Sequence, residues 1–174
     1  LPVNSALGTM EPIKWLEANV PGFAELPEED RRTILQFALL WSLFEAKALQ
    51  TRASAHAILG LVREWSAQGR LGPEKFAVSL EYFRQRYFQN GQSTHYFEGL
   101  NLRGNDNPAL VRAVLDGTNN NPADAVAALL IVVYRLRNNL FHGVKWAYGI
   151  QGQRSNFENA NEALMAALAY VVAN

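Results

Sequence analysis

Arg135 to Gly143 reads RLRNNLFHG, which puts two arginines, two asparagines and a histidine within eight residues at the end of a long apolar run. Arginine offers a planar fork that matches phosphate oxygens, and histidine gains or loses a proton near neutrality. Together they suit an anionic substrate and a proton-transfer step. Asn138 and His142 are four apart and share a helical face, so the amide is placed to orient the imidazole or to bind phosphate. Arg137 and His142 are five apart, about 140° round an ideal helix. They converge only if the helix loosens near Phe141, where Gly143 gives the chain an exit, or if a second subunit completes the site. Arg137 also follows Leu130 and Val133 along an apolar surface, so its charge needs a partner or an anion there.

The charge around these residues is one-signed along the sequence. Formal net charge is zero, but residues 1–30 carry six acids against Lys14 alone. Between Asp124 and Glu158 there is no acid, while Arg135, Arg137, Lys145 and Arg154 all fall there with His142. Two readings follow: an anion-facing surface, or a partly buried helix and loop that simply carry few charges.

The elements that must position the motif read as helices. Ile34, Phe37, Trp41, Phe44 and Ala48 recur at helical spacing between Glu28 and Gln50, with Pro27 at the entry. A second helix is expected over Ala53 to Ala67, ending near Gly69. A third opens after Gly72-Pro73 and carries Phe76, Leu80, Phe83 and Tyr87 on one stripe. The stretch from Asn90 to Asn107 is rich in Asn and Gly and long for a connection, which marks a functional or a mobile loop. Asn107-Pro108 and Asn121-Pro122 each read as an N-cap followed by proline at the first helical position. They start a short helix to about Asp116 and a long one to about Phe141. Ser155 with Glu158 reads as a capping box for the last helix, whose inner face is Phe157, Leu164, Leu168 and Val171. The long helix carries Val126, Leu129, Val133, Leu136 and Leu140 on one stripe, with Leu130, Ile131 and Val132 covering its other faces. Such a helix is central or lies in a subunit interface. There is no strand-like alternation of useful length and no internal repeat.

Other constellations are weaker. His56, His95 and His142 are far apart in sequence, so no zinc-type spacing exists and no metal is expected. Gly91, Gly99 and Gly104 lack the lysine and strand context of a phosphate loop. The cluster YFRQRYF, Tyr82 to Phe88, combines Arg84 and Arg86 with rings that could stack bases, although Phe83 and Tyr87 belong to a core stripe. His95 and Tyr96 are either substrate contacts from the long loop or plain loop residues. Trp15, Trp41, Trp65 and Trp146 read as core or interface anchors.

Arg137-Asn138-Asn139-Leu140-Phe141-His142 resembles the signature of the HEPN superfamily (higher eukaryotes and prokaryotes nucleotide-binding): an arginine with a polar neighbour, then a histidine a few residues on. Its place after a long hydrophobic helix and before a final helix is also similar. The likeness covers residues 122–174 by motif and the earlier helices in kind. It implies an all-α HEPN-like bundle of five to seven helices that pairs about a two-fold axis, two Arg/His motifs facing a shared cleft. It further implies a metal-independent endoribonuclease without a cofactor, a toxin of a toxin–antitoxin system or a defence effector, cleaving RNA by attack of the 2′-hydroxyl. On this reading His142 transfers the proton, Arg137 stabilises the phosphorane and Asn138 orients the histidine or binds phosphate. Arg135, Asn139 and Lys145 are the further substrate-binding candidates. The implied partners are RNA, a second copy of the chain and an antitoxin protein. In one HEPN toxin branch a tyrosine two residues after the histidine is modified by a partner nucleotidyltransferase. Val144 stands at that place here, and Tyr148 is too far along to match. A non-catalytic HEPN module, using the motif as a phosphate clamp for a nucleotide or protein partner, is the alternative function. The third reading is structural, with Arg137 and Asn138 capping helix carbonyls and His142 buried in an interface.

Composition bounds all of this. A chain of 174 residues, 49% hydrophobic, suits one domain. Residues 1–10 read as a disordered, processed or engineered end, with a native start at Met10 as one option. The absence of cysteine excludes disulfides and thiolate chemistry and suits a cytoplasmic home. No export signal and no membrane span is read, since the longest apolar run, Ala125 to Tyr134, is about half a bilayer crossing.

Overall fold

The computed structural model describes residues 11–143 and 150–172; Lys145, Val144, Trp146 and Tyr148 lie outside them. The chain is all-α. In order come α1 (Pro12–Asn19), α2 (Glu28–Ala48), α3 (Ala55–Ala67), a 3-10 turn (Pro73–Phe76) leading into α4 (Ala77–Tyr87), and α5 (His95–Glu98). A second 3-10 turn (Gly104–Asp106), α6 (Pro108–Leu115), α7 (Pro122–Phe141) and α8 (Arg154–Val172) follow. The six helices expected from periodicity are all present. The short α1 and α5 bring the described helices to eight, beyond the expected five to seven. Neither is long enough to show a repeating apolar stripe in the sequence, which is why both were illegible there.

Helix ends follow local chemistry, with two departures. Asn121 caps α7 by accepting from the backbone N–H groups of Ala123 and Asp124, and Pro122 occupies the first helical position as expected. Asn107 stands at the start of α6 but in the left-handed region, φ 55°, and its side chain makes no cap bond. The Ser155/Glu158 capping box does not form. Helix α8 already begins at Arg154, and Glu158 instead accepts from Arg154 Nε at 2.6 Å, one turn along the same face.

Helix α7 is the centre of the molecule. It packs on α3 and α6 and touches α4 and α8, while α2 and α8 pair along much of their lengths. Every residue from Ala125 to Val133 is buried. The apolar faces that suggested a subunit interface are therefore covered by the chain's own helices, and two-fold pairing through the body of α7 has no free face to use. Its last turn differs, because Phe141 is 55% exposed. Phe37, Trp41 and Phe44 of α2 and Phe157, Leu164 and Leu168 of α8 are buried as their spacing requires. Trp41 and Trp65 are core residues, but Trp15 is half exposed because α1 covers the bundle with Ile13 and Leu16 instead. Among the described residues no helix is long and apolar enough to cross a membrane.

The Asn90–Asn107 stretch is ordered rather than a bare loop. A hairpin of two-residue strands, Phe88–Gln89 against Gln92–Ser93, spans its start and is followed by α5 and the second 3-10 turn. Phe97 and Leu100 enter the core and fix the segment beside the last turns of α7.

Candidate functional site

The last two turns of α7 present their polar residues on three faces. Arg135 and Asn139, one turn apart, meet the 99–106 segment. Arg135 Nε donates to Leu100 O at 3.1 Å, and its Nη1 lies 3.2 Å from Asp106 Oδ2, with both side chains under 5% exposed. Burial pulls the Arg135 pKa below the ordinary guanidinium value, and the Asp106 charge pulls it back up. Asn139 Nδ2 donates to Gly99 O at 3.0 Å and Leu100 O at 3.3 Å. Both side chains thus anchor the segment. Arg135 Nε and Asn139 Nδ2 are engaged by these carbonyls, Arg135 Nη1 is buried beside Asp106 without a hydrogen-bond partner, and both side chains also line the cleft formed with Asn138 and His142.

Arg137 faces the other way, toward α2. Its Nη2 is 3.5 Å from Glu45 Oε2, which also accepts from Trp41 Nε1 at 2.8 Å, and its Nη1 donates to Asn138 Oδ1 at 3.0 Å. The guanidinium lies 5.4 Å from the Phe141 ring centroid and 5.9 Å from that of Trp41. The apolar surface beside Arg137 therefore supplies a partner for its charge, as burial requires.

Asn138 and His142 form the third face. His142 is the C-cap residue; its N–H bonds Asn138 O at 2.9 Å, and Gly143 follows at φ 75°, the left-handed exit that glycine permits. The helix stays regular to Phe141, so within one chain Arg137 and His142 remain on different faces and do not converge. Asn138 and His142 do converge, on a cleft of about 510 Å³ whose other walls are Asn101, Leu102, Arg103, Arg135 and Asn139. Arg137 Nη1 occupies the Asn138 amide oxygen, which leaves Nδ2 as a donor with no protein acceptor among the described residues. Asn138 is therefore oriented by Arg137 and does not itself orient His142.

Arg103 and Asn101 are the site residues that sequence reasoning missed. Arg103 is exposed and, among the described residues, has no carboxylate at ion-pair distance. Its backbone N–H donates to Asp106 Oδ2 at 2.8 Å, so the aspartate that neutralises Arg135 also sets the path of the chain at Arg103. The only available signal was the length and polarity of the Asn90–Asn107 stretch. The acid-free segment is not one-signed in space either. Asp106 meets Arg135, Glu45 meets Arg137, and both Glu29 and Glu158 meet Arg154. The cleft itself keeps the bias, because no carboxylate is among its lining residues. Among the described residues no three His, Asp or Glu side chains are grouped to hold a metal ion.

No protein-family model, curated protein or solved structure matches this chain. The HEPN resemblance accordingly rests on the motif and the helical setting alone.

Proposed function

We propose that the chain is a metal-independent endoribonuclease of the HEPN type, acting as a toxin or defence effector on RNA. The observation that carries this is the carboxylate-free cleft in which the imidazole of His142, the free amide donor of Asn138 and the unpaired Arg103 stand together. RNA brings its own nucleophile. The 2′-oxygen attacks phosphorus, the bond to the 5′-oxygen breaks, one proton leaves the 2′-hydroxyl and one reaches the departing oxygen. The products are a 2′,3′-cyclic phosphate and a 5′-hydroxyl. His142 is the group that transfers a proton, while Arg103 and Asn138 Nδ2 neutralise and bind the phosphate oxygens. Arg137 is a positioning residue through Asn138.

Two proton transfers and one imidazole in the cleft favour a pair of chains. Apart from the cleft, the outer face of α2 exposes Leu35, Leu39 and Leu43 at successive turns opposite the buried Phe37, Trp41 and Phe44, an apolar surface that a second copy could cover. In an antiparallel two-fold arrangement Glu28, at the start of this face, lies toward Lys47 of the second copy.

The test is incubation with total and transfer RNA in excess EDTA. Cleavage leaving cyclic phosphate ends is expected, falling about 10²–10⁴-fold in His142→Ala. Arg103→Ala should weaken RNA binding and reduce its salt slope by about one. Toxicity on expression, relieved by His142→Ala, would support an effector with an antitoxin partner. Cleavage unchanged in His142→Ala would overturn the proposal. The second reading, a non-catalytic phosphate clamp, is favoured by the engagement of Arg137 with Glu45 and Asn138. It predicts RNA or nucleotide binding by a folded protein that cleaves nothing.

A further inference from the structure

A second cavity adjoins the cleft. It measures about 560 Å³ and is walled by Arg86 and Tyr87 of α4, by the 95–101 segment, by Leu136 of α7, and by Gln153 and Asn156 at the start of α8. The two share Asn101, and both run along the end of α7. From Leu136 in one wall to His142 in the other is six residues of helix, about 9 Å.

Its walls suit a nucleotide. The Arg86 guanidinium lies 4.1 Å from the Tyr96 ring centroid, and the His95 and Tyr96 rings are 3.9 Å apart. His95 and Tyr96 are both exposed, Tyr96 by 44%, although apolar neighbours that would bury them are close at hand in Phe97 and Leu100. Arg86 has no carboxylate at ion-pair distance among the described residues; its side chain meets the Tyr82 and Tyr87 phenols, and its Nε is buried without a hydrogen-bond partner. A buried guanidinium donor left unsatisfied is costly unless a ligand supplies an acceptor. Beyond Tyr82 the wall is polar and braced. Asn156, itself 2% exposed, accepts from Tyr82 Oη at 2.8 Å and donates to Gln153 Oε1 at 2.7 Å. The rings offer stacking surface, the arginine a phosphate contact, and the amides an edge for hydrogen bonding, which is the equipment of a single-stranded nucleic-acid subsite.

We propose that the Arg86–His95–Tyr96 cavity is a nucleotide subsite holding the residue of single-stranded RNA that flanks the phosphate at His142. This rests on the reading of the His142 cleft as an RNA site. Arg86 and Tyr96 then govern affinity and leave the proton transfer to His142.

The experiment uses the whole chain and a short fluorescein-labelled 2′-O-methyl oligonucleotide of mixed sequence, which lacks the attacking hydroxyl and reports binding without cleavage. Fluorescence anisotropy should show binding that weakens about tenfold in Arg86→Met and in Tyr96→Leu. Amide exchange of the wild-type protein is the second readout, independent of any variant's folding, with protection of the 94–101 segment expected on adding the probe. Wild-type affinity in both variants, or no protection of that segment, overturns the subsite and leaves the ribonuclease proposal standing. Weakened binding in Arg86→Met with no cleavage of natural RNA by wild type keeps the subsite and removes the ribonuclease. No binding of the probe at low salt overturns the subsite outright.

Discussion

The pair Arg135 and Asp106 shows how a residue beside the motif also holds the fold. Both are almost wholly buried, and Asp106 serves two elements at once, accepting from the Arg103 backbone while pairing with Arg135 of α7. Removing one partner of a buried ion pair leaves the other uncompensated, at a cost of about 3–5 kcal/mol. Asp106→Ala should therefore destabilise the fold by about that amount in urea unfolding, and the double variant Asp106→Leu, Arg135→Met should recover most of it. A loss below about 1 kcal/mol in the single variant would show that Arg135 finds solvent or another partner. At this scale the sequence was half legible. Helical spacing put Asn138 and His142 on one face and set Arg137 apart from His142, because the period of a helix is fixed by its backbone. It could not say which neighbour each face meets. Glu45 and Asp106 come from distant positions, so the cations that looked unpaired along the chain are mostly paired in space.

Among the elements, α2 carries the clearest unfinished surface. Its inner face buries Phe37, Trp41 and Phe44, while Leu39 on the outer face is 73% exposed and sits between Leu35 and Leu43. One exposed leucine is ordinary, but three on consecutive turns form a seam of the kind that antiparallel helices close. If the second copy covers it, Leu39→Asp should shift sedimentation from dimer to monomer, while thermal unfolding of the monomer changes little. A wild-type protein already monomeric at high concentration would remove this pairing. The inward half of α2 was legible from periodicity, as were the boundaries of α7 from Asn121-Pro122 and Gly143. The helix α5 was not, since four residues with one inward ring, Phe97, give no repeat to detect. That short element places Tyr96 against Arg86 of α4 and leads the chain to Asn101 beside Asn139 of α7, so the part of the site that depends on tertiary packing was the part the sequence withheld.

At the scale of the whole molecule, the bundle is tied together by tyrosines whose ionisation it opposes. Tyr82 on α4 donates to Asn156 on α8 at 2.8 Å, and Tyr87, one turn and one residue further, is 2% exposed. Burial raises both phenol pKa values above the ordinary 10.0, with the Arg86 charge pulling down in each case. The folded chain therefore holds these protons at a pH where the unfolded chain has released them. Stability they contribute is complete below the unfolded value and declines as pH rises past it toward the folded values. Urea midpoints should accordingly fall between about pH 9 and about pH 11, where carboxylates and histidines no longer titrate. Tyr87→Phe should flatten that decline, because it removes the buried phenol and keeps the ring that stacks on Phe83 at 5.8 Å. Tyr82→Phe should flatten it too, but from a lower starting stability at neutral pH, since it also gives up the hydrogen bond to Asn156, about 1 kcal/mol. The two variants thus separate burial of a phenol from loss of a tie between α4 and α8. An alkaline limb as steep in Tyr87→Phe as in the wild type would show that solvent reaches this hydroxyl through the adjoining cavity.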